Sequence, residues 1–194
     1  MIAYLRGPYT FKSPTDVIIE AGGVGYRIHI SLHTYSQIQN QPEGKLFTYF
    51  HVKEDSHTLY GFADQLEREL FVHLISVSGI GPATGRMVLS SYTPAEIQQA
   101  IVEEDVPLIK SIKGIGPKSA QRIVLELKDK VAREMTESNV VLSTSGNTHR
   151  QEALSALILL GFNKSLAEKA IVKVLQSGNI STVEQLIKKA LKVL

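Results

Sequence analysis

The tetrapeptide Gly-Ile-Gly-Pro occurs twice, as Gly79-Ile80-Gly81-Pro82 and as Gly114-Ile115-Gly116-Pro117, with the copies 35 residues apart. The surrounding frame repeats as well: Ser76 aligns with Ser111, Val77 with Ile112, Thr84 with Ser119, and Val88 with Ile123. Each copy follows an apolar-periodic run and precedes another helical run. Two copies make a paired supersecondary unit, short of the three or more that a solenoid needs. Glycines two apart admit backbone conformations closed to other residues, and they leave no side chain in front of the amides. The proline presets φ for the first helical turn. The next helix then starts with its free N–H groups and positive dipole end aimed at one spot, a setting suited to phosphate. The isoleucine is placed to point inward and anchor the turn. A bare helix–helix turn is the competing reading, nearly as good for one copy; two copies in one frame favour phosphate.

Residues 1–64 read as β structure. Ile2 to Lys12, Asp16-Val17-Ile18-Ile19-Glu20, Tyr26-Arg27-Ile28-His29-Ile30, Leu46 to Val52 and Thr58 to Phe62 are β-branched or aromatic runs. Gly22-Gly23-Val24-Gly25 and Lys53-Glu54-Asp55-Ser56 supply turns. Five short strands in so short a segment suit a small closed barrel of the OB type, because closure removes exposed edges. Gly23-Val24-Gly25 lacks the third glycine and the following helix of a dinucleotide fingerprint.

From Asp64 the period becomes helical. Leu66, Leu70, Phe71, Leu74 and Ile75 form one face, with Glu67 and Glu69 in the first turn where the dipole favours acids. A helix through Met87, Val88 and Leu89 follows the first copy, and Thr93-Pro94-Ala95-Glu96 carries a capping box with proline at the first helical position. A short helix near Val106 to Lys110 leads into the second copy, and the longest helix runs from about Lys118 to Arg133. Met135 to His149 is rich in Ser, Thr and Asn and reads as a linker. Residues 150–194 resume a helical period in three segments, the first ended by Gly161, the second near Gly178, the third capped by Ser181 or Thr182. The expected division is therefore 1–64, 65–134, 135–149 and 150–194.

Charge and chemistry narrow the function. Residues 1–64 hold five Lys/Arg against six Asp/Glu, residues 65–147 nine against ten, and residues 148–194 seven against three. A nucleic-acid claim for the double-glycine region must rest on geometry rather than on bulk charge. Cysteine is absent, which excludes disulfides and thiolate metal sites. No secretory signal opens the chain and no apolar run is long enough to span a membrane, so a cytoplasmic location is expected. Gly116-Pro117-Lys118-Ser119 has the wrong spacing for a nucleotide loop, and His29, His33, His51 and His57 scatter without metal spacing. Glu103-Glu104-Asp105 reads as a solvated loop in preference to a Mg²⁺ site. Lys118 and Arg122, four apart, share a face at the start of the long helix, with Lys113 before the turn. The first copy is poorer, with Ala83 opposite Lys118, although Arg86 lies one turn on. Glu54-Asp55 reads either as a solvated turn or, on a DNA-facing surface, as a device that repels phosphate.

The segment from 65 to 134 is similar to helix-hairpin-helix DNA-backbone binders. Across nearly its whole length the chain resembles the RuvA family, the Holliday-junction-binding subunits of bacterial branch-migration complexes. Met1-Ile2-Ala3-Tyr4-Leu5-Arg6-Gly7, Gly22-Gly23-Val24-Gly25-Tyr26, Glu54-Asp55 with Leu59-Tyr60-Gly61-Phe62, the paired Gly-Ile-Gly and Leu160-Gly161-Phe162 carry the resemblance in that order. It implies an α+β multidomain fold: an OB-fold barrel, two helix-hairpin-helix motifs, a flexible linker and a three-helix, UBA-like domain. It also implies non-catalytic binding of four-way junctions in recombination, DNA repair and the SOS response, with no cofactor or metal. The implied partners are Holliday-junction DNA, the RuvB ATPase hexamer and the RuvC resolvase, and the implied assembly is a homotetramer that can double to an octamer on DNA. By the same resemblance Gly79, Gly81, Gly114, Gly116, Lys118, Ser119 and Arg122 contact the DNA backbone, and Glu54 and Asp55 form an acidic pin. Leu157, Leu160 and Phe162 face RuvB, with the bundle's own core as the alternative for Leu157. Ala83 departs from the family, which often has lysine there. A glycosylase or nuclease built on the same repeat, and a pure protein-interaction module, are the rival readings; the first lacks a nameable catalytic acid or metal cluster.

Overall fold

The protein is described from a computed structural model that covers residues 2–140, 148–176 and 182–194. The alternating N-terminal runs form a closed barrel from β1 (Tyr4–Lys12), β2 (Asp16–Ala21), β3 (Val24–Ile30), β4 (Glu43–Val52) and β5 (His57–Phe62), ordered β1-β2-β3-β5-β4. Every pairing is antiparallel except β3 with β5. A register shift between Tyr9 and Phe11 bends β1, as a strand that must turn a barrel corner requires. Leu5, Val17, Ile19, Ile28, Ile30, Leu46 and Leu59 fill the interior. This is the OB-like arrangement expected from the sequence.

One barrel element was not expected. Between β3 and β4 lies helix α1 (Leu32–Ile38). Ser31 caps it by accepting from the Thr34 N–H, and the Lys12 ammonium donates to the carbonyls of Gln39 at 2.8 Å and Gln41 at 2.6 Å just past its end. A seven-residue helix is marginal alone. Here both ends are satisfied by neighbours, one from a distant strand.

α1 also explains a buried acid. Glu67, in the first turn of α2 (Gln65–Ser76), is 0% exposed. The Ser31 hydroxyl donates to one carboxylate oxygen, the Thr34 hydroxyl to the other at 2.6 Å, and the Ala63 N–H adds a third bond at 3.3 Å. Burial outweighs these bonds and holds the Glu67 carboxyl above the usual carboxylate range. The folded state therefore takes up a proton at higher pH than the unfolded chain. That favours folding below the unfolded pKa, and the advantage is lost as pH rises through the folded pKa. Across that window the stability of the wild type relative to Glu67→Gln is expected to fall as pH rises, measured as the difference in Tm from pH 4 upward. A pH-independent difference would contradict this.

The helical segment continues with α3 (Pro82–Ser91), α4 (Pro94–Val102), α5 (Val106–Ser111) and α6 (Pro117–Val140). The Thr93/Glu96 capping box is present as read from the sequence. Phe71 of α2 meets Phe62, Tyr60 and Tyr49 of the barrel, with ring centroids 4.8, 5.3 and 5.5 Å away. Barrel and helices thus share apolar packing, and Met1–Met135 is one compact unit. The boundary expected near residue 64 separates fold types rather than bodies. α6 also runs on to Val140 instead of ending near Arg133. The expected linker is thus helical over 135–140 and again from Thr148, while 141–147 lies outside the described residues.

The second unit, Thr136–Leu194, contains α7 (Thr148–Leu159), α8 (Lys164–Gln176) and α9 (Val183–Leu191). Each helix packs on the other two around Ala153, Leu157, Ala167, Ala170, Ile171, Val174, Leu186 and Ala190. Thr182 caps α9, while Gly178 and Ser181 lie outside the described residues. Leu160-Gly161-Phe162 ends α7 in a Schellman arrangement: Gly161 has φ of 95°, its N–H bonds Ile158, and the Phe162 N–H bonds Leu157.

Candidate nucleic-acid interface

The two Gly-Ile-Gly turns have the same local geometry. α2 ends where the Val77 N–H bonds Leu74 at 3.2 Å, and α5 where the Ile112 N–H bonds Ile109 at 3.3 Å. Gly79 and Gly114 then take φ of 91° and 90°, a region that a side chain strains. Ile80 and Ile115 donate back to Val77 and Ile112 at 3.0 and 3.1 Å and are buried, which anchors each turn from inside. Gly81 and Gly116 accept from Gly85 and Ala120, both at 2.9 Å, and open α3 and α6. Gly81 provides no side-chain cap, so the first N–H groups of α3 remain available to a ligand.

The space in front of these turns is open. A Cβ placed on Gly79, Gly81, Gly114 or Gly116 would meet nothing within 4 Å. The absent side chains therefore are not required by packing against this chain. At Gly81 and Gly116 the backbone would accept alanine, at the cost of a poorer N-cap.

The basic residues divide. Lys118 is exposed at the start of α6 and forms no ion pair among the described residues. Ser119 is half-buried beside it, and Lys113 is exposed before the turn. Arg122 is engaged: its Nη1 donates to the Ser78 carbonyl at 3.3 Å, and its Nε lies 3.3 Å from Glu126. At the first turn the corresponding helix presents exposed Ala83 and Met87, and Arg86 points to the barrel, donating to Thr15 at 3.1 Å. Glu54 and Asp55 are exposed at the β4–β5 tip, which is closed by the Lys53 N–H on the Ser56 carbonyl at 2.8 Å.

Other acidic groups are accounted for by packing. Glu103 receives the Gln99 amide, Glu104 faces Lys128, and Asp105 caps α5 through the Leu108 N–H. The three carboxylates thus serve three separate partners. His33, Asp64 and Glu67 bring ligand atoms within 4.8 Å of one another, but Asp64 caps α2 and both Glu67 oxygens are bonded. Among the described residues no helix is long and apolar enough to cross a membrane.

Comparison with known proteins agrees with this geometry over nearly the whole chain. Residues 1–61 match the model of the RuvA N terminal domain, 71–129 that of a SAM-like helix-hairpin-helix tandem, and 148–194 that of the RuvA C-terminal domain. A protein of Cytophaga hutchinsonii is 50% identical over 198 residues, covering all of both chains. One from Christiangramia forsetii is 53% identical over 194 residues, again over all of both chains. A third, from Bacteroides thetaiotaomicron, is 43% identical over 199 residues, with 99% of each chain covered. All three carry the name Holliday junction branch migration complex subunit RuvA.

The chain belongs to the RuvA family.

In the C-terminal unit of this RuvA chain, the residues expected at a partner-facing surface separate. Leu157 is fully buried in the bundle core, the alternative that the sequence left open for it, and not on an exposed partner-facing surface. Phe162 is half-buried beneath the end of α7, while Leu160 is 60% exposed. Leu159, not singled out from the sequence, is 88% exposed. Leucine periodicity alone did not distinguish the packed residue from the free one.

Proposed function

We propose that this RuvA chain is a non-catalytic scaffold that holds four-way (Holliday) junction DNA open by its phosphate backbone. The carrying observation is the pair of like-shaped Gly-Ile-Gly turns, each with unobstructed backbone in front of a helix start. Amides and helix termini contact phosphate without reading sequence, which suits a near-neutral binding region. Gly79, Gly81, Gly114 and Gly116 supply the backbone contacts, and Lys118, Ser119 and Arg122 add to the second grip. The exposed acids Glu54 and Asp55 serve as the pin that keeps continuous duplex from the centre. Leu159 and Leu160, with Phe162 beside them, form the apolar surface offered to a RuvB motor, which supplies ATP hydrolysis. Assembly as a tetramer, doubled on DNA, places several such surfaces around one junction in the cytoplasm, with a RuvC resolvase as a further partner.

The test is a gel-shift comparison of a four-way junction with linear duplex of matched length. Binding to the junction is expected to be tighter by at least about tenfold, a difference of roughly 1.4 kcal/mol. Equal binding to both, or binding to neither, would end the junction reading. Strand cleavage or base release by the purified chain would favour an enzyme instead.

A further inference from the structure

The two ends of the chain differ in charge. Residues 1–147 are close to balanced, whereas residues 148–194 carry seven Lys/Arg against three Asp/Glu. Part of that excess converges. Arg150 of α7 and Lys169 and Lys173 of α8 line one concavity of about 350 Å³ in the C-terminal unit, together with Glu168 and Val172. Lys169 and Lys173 are four apart, so they project side by side from α8, and Arg150 comes from the helix packed against it. All three are exposed, and none forms an ion pair among the described residues. Glu168, the acid in the lining, is half-buried and lies 4.0 Å from Lys164. The helix dipole favours a cation at Lys173, in the last turn of α8. It gives no such reason for Lys169 in mid-helix, and it disfavours Arg150 in the first turn of α7. The bundle core uses none of the three.

We propose that this ridge is a further DNA-backbone contact, in which Arg150, Lys169 and Lys173 hold phosphates of a duplex arm on the C-terminal unit. This rests on the reading of the chain as a DNA binder but not on the Gly-Ile-Gly turns. The lining favours DNA over a protein partner. Protein interfaces place apolar and aromatic groups at their centre and are poor in lysine. A surface of that kind adjoins this one: Phe162, Leu166, Val193 and Leu194 line a second concavity that shares Lys169 and Lys173. In the concavity with Arg150, Val172 is the one hydrophobic residue and the others are charged. A guanidinium takes a phosphate through two N–H groups, and the ammonium groups add point charges. Neutralising phosphate in this way releases counterions and reads no sequence. Because the ridge is on the same chain as the turns, a contact too weak to hold DNA alone becomes intramolecular once a turn has engaged.

The experiment compares the full chain with its Arg150→Gln/Lys169→Gln/Lys173→Gln variant in binding to linear duplex and to a four-way junction across a salt series. The variant is expected to bind both DNAs about tenfold more weakly at about 100 mM salt. The slope of log affinity against log salt should become shallower by about one for each charge removed. Removing as many charges from α9, by Lys188→Gln/Lys189→Gln/Lys192→Gln, should change the slope by less than about one in total. Equal effects from the two variants would reduce the ridge to bulk charge and overturn the proposal, as would an unchanged slope in the first. Retained DNA affinity with lost recruitment of the RuvB ATPase would assign the ridge to the motor and overturn it too. Amide chemical shifts of the wild-type chain, titrated with linear duplex, read the ridge and the turns separately. Shifts are expected at 150 and 168–173. Shifts confined to 79–81 and 114–116 would overturn the ridge, whereas shifts at the ridge without the turns would uphold it and end the reading of the turns instead.

Discussion

Replacing Gly81 and Gly116 together by alanine should lower the thermal midpoint by no more than several degrees while lowering affinity for a four-way junction by roughly 100-fold or more. The first part follows from open space: neither new methyl would touch anything in the chain, and neither glycine lies at positive φ. Alanine is a poorer N-cap than glycine, so each change costs up to about 1 kcal/mol, a few degrees in a chain of this size. The second part follows from where the methyls would stand, between the helix-start amides and the incoming phosphate. A hydrogen bond to a charged group contributes about 1.5–3 kcal/mol, and losing one at each turn gives the stated factor. Gly79→Ala and Gly114→Ala form the contrast. Their φ near 90° makes a side chain costly at roughly 1–2 kcal/mol, so these variants should lose stability as well as binding. Thermal melts beside binding isotherms distinguish the two pairs. Intact junction affinity in the Gly81/Gly116 double variant would remove the turns from the interface.

The other large effect concerns discrimination rather than grip. Glu54→Gln with Asp55→Asn is expected to raise affinity for linear duplex about tenfold while changing junction affinity much less, so that the preference collapses. Like charges set against each other suppress wrong partners by up to several kcal/mol, and neutral amides of the same shape remove only that repulsion. The hairpin should survive, because its tip is closed by a backbone bond and both side chains are exposed. Competition between labelled junction and unlabelled duplex measures the ratio directly. A ratio that does not move would return Glu54 and Asp55 to an ordinary solvated turn.

These expectations draw on features that differed in how visible they were from the residues. The turns were legible because their cause is local: glycine spacing, proline and a buried isoleucine specify the shape within four positions. The five strands were legible for the same reason. α1 was not, because a seven-residue helix shows barely two turns of periodicity. Its one local sign was Ser31, and its other support, Lys12, comes from β1. Glu67 looked like an acid favoured by the α2 dipole. Its burial depends on Ser31 and Thr34, more than thirty positions away, and no window along the chain could show that. The extension of α6 past Arg133 was hidden by a different cause. Residues 134–140 lack an apolar stripe, yet they contain no proline or glycine to stop a helix already under way. Leu157 and Leu159 could not be ranked by hydrophobicity, since only the packing of α7 on α8 and α9 decides which points inward.

The absence of side chains at the turns has a consequence for motion. A protein that reads base edges discriminates by about 1–3 kcal/mol for each matched pair, so a duplex drawn through it would meet a different barrier at every step. Backbone amides meet the same phosphate whichever base stands behind it. Translocation past such turns is then nearly level in free energy from one base pair to the next, and a motor pulling DNA across them would not stall on sequence.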